Sequence, residues 1–376
     1  MIPIIKPYFS EEEEIAAAEV IRSGWVTQGP KVNEFESLLT EYLSADFSVA
    51  VTSCTTALFL ALKVLEIGAG DEVIVPSFSF IATANSVVHT GAVPVFVDID
   101  PQTYNIDPDL IEEKITERTR AIMPVHQAGI PADMNRINEI AAKHDLQVIE
   151  DAACAIGSVY NNKYIGNSQN LVCFSFHPRK IITCGEGGAV VSGNKTHEKN
   201  LRLLRHQGMS VSDLARHSSK KIIIEEYPIV GYNFRLTDIQ AAVGIAQLKK
   251  LDEIVSKRLR LAENYNTAFK DIPYVNIPAV SENTKIAFQS YILQIKDDSP
   301  VNRDELMEKL LGKDVASRRG VMAIHKEKPY VDMLGNIDLP NTEKCVGNTI
   351  ILPLYPQMTD EEQNYVIDCV KEIFNF

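Results

Sequence analysis

The sequence has little positive charge to spare: 37 lysines and arginines face 50 acids over 376 residues, leaving a net charge of −13. That excludes nucleic acid as the main partner, because phosphate contacts draw on a cationic surplus. An anionic ligand would need a local basic cluster working against the global field. No apolar run approaches the roughly 18 residues that span a bilayer, so no membrane association is expected. The opening Met1-Ile-Pro-Ile-Ile-Lys-Pro7, with glutamates at 11 to 14, does not read as a signal peptide. The six cysteines (54, 154, 173, 184, 345 and 369) form no CxxC and no paired spacing. Most lie in apolar runs, as buried free thiols of a reducing cytoplasm do. The eight histidines show no HxxxH and no cysteine–histidine clustering, so no metal site is expected. No G-x-G-x-x-G follows the first predicted strand, so the sheet described next carries no dinucleotide fingerprint. Internal repeats and low-complexity segments are also missing.

What is present is a hydrophobic content of 45%, ample for a large core. The length exceeds one usual domain, and two are expected, 1–250 and 251–376. Ser10 followed by acids starts a helix to about Arg22. From 48 to 151, short apolar strands alternate with helices. Strands are expected at 48–53, 72–75, 94–98, 120–125 and 147–151. Helices are expected at 56–65, 81–89, 108–116 and 134–144. Continuous apolar strands between helices specify a mostly parallel sheet covered on both faces, an α/β architecture. Ligands of such sheets sit beyond the carboxyl ends of the strands. Ser53 to Thr56, Phe80, His126, Asp151 and Lys180 all fall at or just after strand ends, so they can converge on one crevice. His126 reads as structural.

The chain is organised around Cys173-Phe-Ser-Phe-His-Pro-Arg-Lys-Ile-Ile-Thr-Cys-Gly-Glu-Gly-Gly188. Leu171 to Phe176 is a buried strand, Pro178 stops it, and Gly185 to Gly188 turns into a second strand at 189–192. Lys180 rides the connection. A lysine taken alone there reads as solvated, whereas a desolvated one is pushed toward its neutral, nucleophilic amine. Gln147-Val-Ile-Glu-Asp-Ala-Ala-Cys154 ends another strand in Asp151. A lysine that forms a Schiff base with pyridoxal phosphate needs such an aspartate for the pyridine nitrogen. Ser53-Cys-Thr-Thr56 puts free amides at a helix start, a geometry that caps a helix and also binds phosphate.

Beyond this core, Met209 to Tyr227 reads as an irregular loop or hairpin over the site. A helix from Leu236 to Leu251 is opened by Thr237-Asp238. The texture changes near 252: a charged helix to Lys270, a strand from Ile286 to Ile295, a helix from Arg303 to Leu311 and a last helix opened by Thr359-Asp-Glu-Glu362. Arg318, Arg319 and His325 lie close in sequence and are the candidate basic cluster, though a solvated charged loop reads equally well.

Ser175-Phe-His-x-x-Lys180 with Gly185-Glu-Gly-Gly188, preceded by Glu150-Asp-Ala-Ala153, resembles the DegT/DnrJ/EryC1/StrS aminotransferases. The resemblance runs from Gly24-Trp25 to Leu352-Pro-Leu-Tyr-Pro356. It implies a fold-type I pyridoxal-phosphate enzyme with a large domain holding a mostly parallel seven-stranded sheet and a smaller α+β domain. It also implies amino transfer from glutamate to a nucleotide-linked keto-deoxysugar, most often 4-keto-6-deoxy, for surface polysaccharide or glycoconjugate synthesis. Lys180 and Asp151 are then catalytic. Cys54, Thr55, Thr56, Ser175 and Asn233 of the partner subunit in a homodimer would hold the phosphate. Phe80 would stack on the ring. Cys154 stands where the family has glutamine or histidine near the ring hydroxyl, and a thiol bonds more weakly. Cys54 replaces a glycine of the family's Ser-Gly-Thr. Trp25, Arg179, Glu186, Arg318, Arg319 and His325 are the candidate substrate contacts. Alternatives are a 3-keto substrate, a relative that removes a hydroxyl, a dinucleotide-linked dehydrogenase and a cofactor-binding regulator. The hydroxyl-removing relatives carry histidine at the lysine position, which Lys180 disfavours.

Overall fold

The computed structural model describes residues 1–211, 216, 219–279 and 283–376. In chain order the first part holds α1 (Glu11–Ser23), α2 (Pro30–Leu43), β1 (Phe47–Val51), α3 (Cys54–Val64), β2 (Glu72–Pro76), α4 (Ala82–His89) and β3 (Val93–Val97). It continues with β4 (Thr119–Ile122), α5 (Met134–Lys143), β5 (Gln147–Asp151), the short β6 (Val159–Tyr160) and β7 (Lys163–Tyr164), then β8 (Leu171–Ser175), β9 (Gly188–Ser192) and α6 (Glu198–Arg205).

Seven of these strands form one sheet in the order β1-β9-β8-β5-β4-β2-β3. β9 runs antiparallel to both its neighbours, and the other neighbours are parallel. The alternation along each strand explains the two covered faces. Val49 and Val51 pack with Val73, Val75 and the apolar side of α3 on one face. Ala50, Val172 and Phe174 face the other way, against Phe35 and Leu39 of α2. A strand buried on both faces cannot alternate polar with apolar, hence the unbroken apolar runs.

α7 (Asp238–Lys249) opens with a reciprocal cap between Thr237 and Gln240. One residue after it ends, α8 (Leu251–Phe269) begins and leads into the C-terminal part. There β10 (Val275–Asn276), β12 (Tyr291–Ile295), β13 (Arg318–Arg319) and β14 (Thr349–Leu352) make an antiparallel sheet ordered β10-β12-β14-β13. β11 (Thr284–Lys285) instead joins β6 and β7. α9 (Arg303–Leu311), α10 (Lys328–Leu334), α11 (Pro340–Asn348) and α12 (Asp360–Ile373) complete the chain. The core under this sheet includes Phe78 and Tyr104 from the first part, which ties the two parts together. No described helix is long and apolar enough to cross a membrane.

Three elements differ from the sequence reading. Residues 108–116 form two single 3-10 turns, not an α-helix. Asp107 caps Asp109 and Ile115 returns to an extended conformation, so the segment is too short to propagate a helix. The strand expected from Ile286 starts only at Tyr291, because Phe288 takes a left-handed φ of 47° that interrupts pairing. β4 stops at Ile122, two residues before Pro124, which has no amide proton to extend the ladder. The expected loop at 209–227 lies partly outside the described residues; its ends meet where the Ser210 amide donates to the Glu226 carbonyl at 2.9 Å.

Candidate active site

A cleft of about 390 Å3 opens beyond the carboxyl ends of β1, β2, β5 and β8. Its lining includes Cys54, Thr55, Phe80, Asp151, Cys154, Ser175 and Lys180, and at its mouth Arg179, Glu186, Arg318 and Arg319.

Asp151 ends β5 and is 5% exposed. The Thr83 hydroxyl donates to its Oδ2 at 2.7 Å and the Ala153 amide to its Oδ1 at 3.1 Å. Thr83 in turn shares a 2.8 Å bond with Ser79. Each carboxylate oxygen keeps acceptor capacity for one more donor. Sequence reasoning missed Thr83; a hydroxyl in the first turn of a helix that follows a strand end was the available signal.

Lys180 sits in a pinned turn. Its amide donates to His177 O at 2.8 Å, the Phe176 amide to Gly187 O at 2.9 Å and the Cys184 amide to Phe176 O at 3.1 Å. The Thr183 hydroxyl adds a 2.9 Å bond to Phe176 O. The ammonium Nζ donates to Cys154 Sγ at 3.3 Å. Burial pushes the Lys180 pKa down, but Cys154, Cys54 and Asp151 together outweigh it, and the net direction is up. Desolvation acts toward the expected neutral amine, but the surrounding groups oppose it, so the amine keeps its proton in the unliganded chain.

Ser53 and Thr56 cap α3 reciprocally: the Thr56 amide donates to Ser53 Oγ at 3.2 Å and the Ser53 amide to Thr56 Oγ1 at 3.1 Å. The Thr56 hydroxyl is thus engaged in the cap, and Thr56 does not line the cleft. The first turn of α3 presents its amides there instead. Cys54 does not obstruct this approach. Its thiol turns under the loop and donates to Cys173 O at 3.5 Å, and burial pushes its pKa well up. The glycine that makes room is Gly188 on β9: a Cβ there would stand 2.4 Å from the Ser53 carbonyl carbon and 2.6 Å from the Cys54 amide nitrogen. Phe80 lies in the cleft with 58% of its surface exposed, an unusual state for phenylalanine and one that leaves a ring face for a ligand.

At the mouth, Arg179, Arg318 and Arg319 make no ion pair among the described residues. Burial lowers the Arg318 pKa, and the charges of Arg179 and Arg319 lower it further, the mark of three crowded cations. Glu186 faces His177 at 3.8 Å. Burial pushes the His177 imidazole toward neutrality; Glu186 opposes this, while Arg179 and Lys180 reinforce it.

Besides Thr56, three candidate residues lie elsewhere. His325 is not part of the basic cluster. It is buried, with Nδ1 2.6 Å from Ser77 Oγ and Nε2 3.3 Å from Glu343, and it fastens the 324–326 turn to the end of β2. Nearness in sequence suggested the grouping, but Gly320 to Ala323 carry the chain away from β13, with Ala323 bridging Phe78. Trp25 lies over Gly29 with its indole Nε1 donating to Gln28 O at 3.3 Å, outside the cleft of its own chain. Asn233 is exposed, also outside that cleft. His126 is buried as a structural residue: Nδ1 accepts the Ala132 amide at 3.0 Å, so Nε2 carries the proton it gives to Glu150 at 3.0 Å. Gln127, Gln289 and Ser290 line the cleft without having been singled out.

A pyridine ring with a phosphate arm fits these groups. An acid stands on one side of the cleft, a primary amine and an open aromatic face on others, and a helix N-terminus shaped by Gly188 on another. Together with the seven-stranded sheet and its single reversed strand, this defines a pyridoxal-phosphate-dependent transferase of fold type I. The family model described as the DegT/DnrJ/EryC1/StrS aminotransferase family matches residues 7–371, and the chain belongs to that family. It is 38% identical over 376 residues to the spore coat polysaccharide biosynthesis protein SpsC of Bacillus subtilis, covering 99% of this chain and 97% of SpsC. Among solved structures it matches DesV of S. venezuelae, captured with a ketimine intermediate, at TM-score 0.90 and 32% identity over 100% of this chain and 99% of DesV. Spr1654 of Streptococcus pneumoniae in its PMP-form matches at TM-score 0.93 and 29% identity, over 100% and 99% of the two chains. The chain is a pyridoxal-phosphate-dependent sugar aminotransferase.

Proposed function

We propose that the chain moves an amino group from glutamate to the keto carbon of a nucleotide-linked deoxysugar, a 4-keto-6-deoxy sugar, in the synthesis of a surface polysaccharide in the cytoplasm. The observation that carries the nucleotide linkage is the set of three unpaired arginines at the cleft mouth of a chain whose net charge is −13. Guanidinium forks suit a diphosphate and a donor carboxylate alike. The likeness to SpsC supports the polysaccharide context. A homodimer is part of the proposal: Ile222, Ile224 and Val230, in the stretch of chain that leads to Asn233, are 96%, 85% and 89% exposed. A second copy covering them would bring Asn233 of the partner subunit toward the phosphate end.

Pyridoxal phosphate, when bound, supplies an electron sink for the negative charge left at the donor's Cα. Asp151, held by Thr83 and the Ala153 amide, would keep a proton on the cofactor's ring nitrogen. Ser175 and the first amides of α3 would hold its phosphate. Lys180 Nζ would accept the proton released from the donor's Cα and deliver it to the carbon on the other side of the amino nitrogen, a span that a flexible four-carbon arm on a fixed backbone can reach. Arg318 and Arg319 hold the anionic part of each ligand in turn.

The test is a panel of UDP-, dTDP- and GDP-linked 4-keto and 3-keto sugars incubated with glutamate, following 2-oxoglutarate and the amino sugar. Turnover of a 4-keto-6-deoxy member is expected; preference for a 3-keto member would refute that assignment.

A further inference from the structure

Arg258 on α8 is 1% exposed, burial lowers its pKa to about 10, and no acid among the described residues answers its charge. Its Nη1 donates instead to three carbonyl oxygens: Phe288 at 3.0 Å, Gln289 at 3.2 Å and Leu354 at 3.3 Å. Its Nε finds no partner among the described residues. A buried cation without a counter-charge costs desolvation, and the three carbonyl oxygens that it satisfies offset part of that cost. What the arginine provides is geometry. It fixes the crossing at 288–290, where the left-handed Phe288 leaves carbonyls pointing inward with no strand to pair with.

That crossing reaches the lysine turn. The Gln289 amide nitrogen of the backbone donates to Ala128 O at 3.0 Å, and the Ser290 hydroxyl donates to Gln289 Oε1 at 2.9 Å. The second bond leaves the Gln289 side-chain Nε2 free to donate, and it does so to Arg179 O at 2.7 Å. The Arg179 carbonyl and the Lys180 amide belong to one peptide plane, and the Lys180 amide is itself bonded to His177 O at 2.8 Å. The plane that carries Lys180 is therefore held at both ends, once by its own turn and once by the wall of the cleft.

We propose that Arg258 and Gln289 are positioning residues for the reaction: Arg258 sets the 288–290 crossing, and Gln289 passes that placement to the peptide of Lys180, fixing where the amine stands in the cleft. This rests on the reading of Lys180 as the residue that engages pyridoxal phosphate. It assigns the C-terminal part of the chain a share in the placement of a group on the large sheet.

The experiment titrates apoprotein with pyridoxal phosphate, following the visible band and the pH at which that band titrates. It compares wild type with Gln289→Ala, Gln289→Glu, Arg258→Met and the Arg258→Met/Gln289→Ala double variant. Gln289→Ala and Gln289→Glu should weaken cofactor binding about 3- to 10-fold, the size of one lost hydrogen bond. They should also move the titration of the band while leaving circular dichroism and melting temperature unchanged. Arg258→Met should act in the same direction, and the double variant no more strongly than the greater single one, since both lie on one chain of contacts. Should Arg258→Met fail to fold, the two Gln289 variants decide alone. Wild-type affinity and titration in Gln289→Ala, or additive effects in the double variant, would overturn the proposal while wild type still binds the cofactor. Wild type that binds none would overturn the reading of Lys180 itself.

Discussion

At the floor of the cleft Asp151 is 5% exposed, and both its oxygens already hold donors. At the mouth Arg318 and Arg319, from the two-residue edge strand β13, are exposed, and their guanidinium groups make no bond among the described residues. The floor is built on the buried strand ends of a large parallel sheet, where an unsatisfied carboxylate would cost several kcal/mol, so the fold itself supplies the partners. The mouth has no such obligation, because water satisfies guanidinium groups until a ligand arrives. Groups at the floor are fixed before binding and suit one unchanging guest. Groups at the rim pay their ordering cost on binding and can serve two anions in succession.

Three perturbations separate floor from rim. If Lys180 is both nucleophile and proton carrier, as proposed, Lys180→Ala should lower turnover by about 10^3-fold or more and abolish the visible band of the loaded protein. A variant that keeps the band and the rate would dissolve the distinction. Replacing Arg318 and Arg319 together by alanine should raise KM for the nucleotide sugar about 10- to 100-fold with kcat within about 3-fold, as expected for lost charge-assisted bonds to a bound anion. Added salt should raise KM in the wild type and leave the variant nearly unchanged. The smallest effect concerns pH. Because the Lys180 pKa is raised in the unliganded chain, its reactive neutral fraction grows as pH rises. Capture of pyridoxal phosphate, timed by stopped-flow absorbance, should quicken by up to about tenfold per unit through the neutral range. A flat profile would mean that the floor releases its proton without help.

The sequence showed the sheet because its strands are apolar on both faces, and it pointed to the cleft that Lys180 and Asp151 share because ligands of such sheets sit beyond strand ends. The reciprocal caps at Ser10, Thr237 and Thr359 were equally readable. Residues that act by contact across the fold were not. Nothing near Gln289 in the chain announces that its side chain meets Arg179, 110 positions away. His325 looked cationic beside two arginines, yet burial pushes its imidazole toward the neutral form and Ser77 holds it away from them. The direction of the Cys54 thiol was also hidden, since a sequence names a side chain but not the face it turns to.

The contact between Gly188 and the Ser53–Cys54 peptide sets where this enzyme can be re-engineered. A library randomised at 54 should return only small, mostly apolar survivors, because the side chain there points beneath the loop into the core. One randomised at 188 should return the parent almost alone, since a single added methyl would drive two backbones apart at the spot where a ligand's phosphate has to nestle.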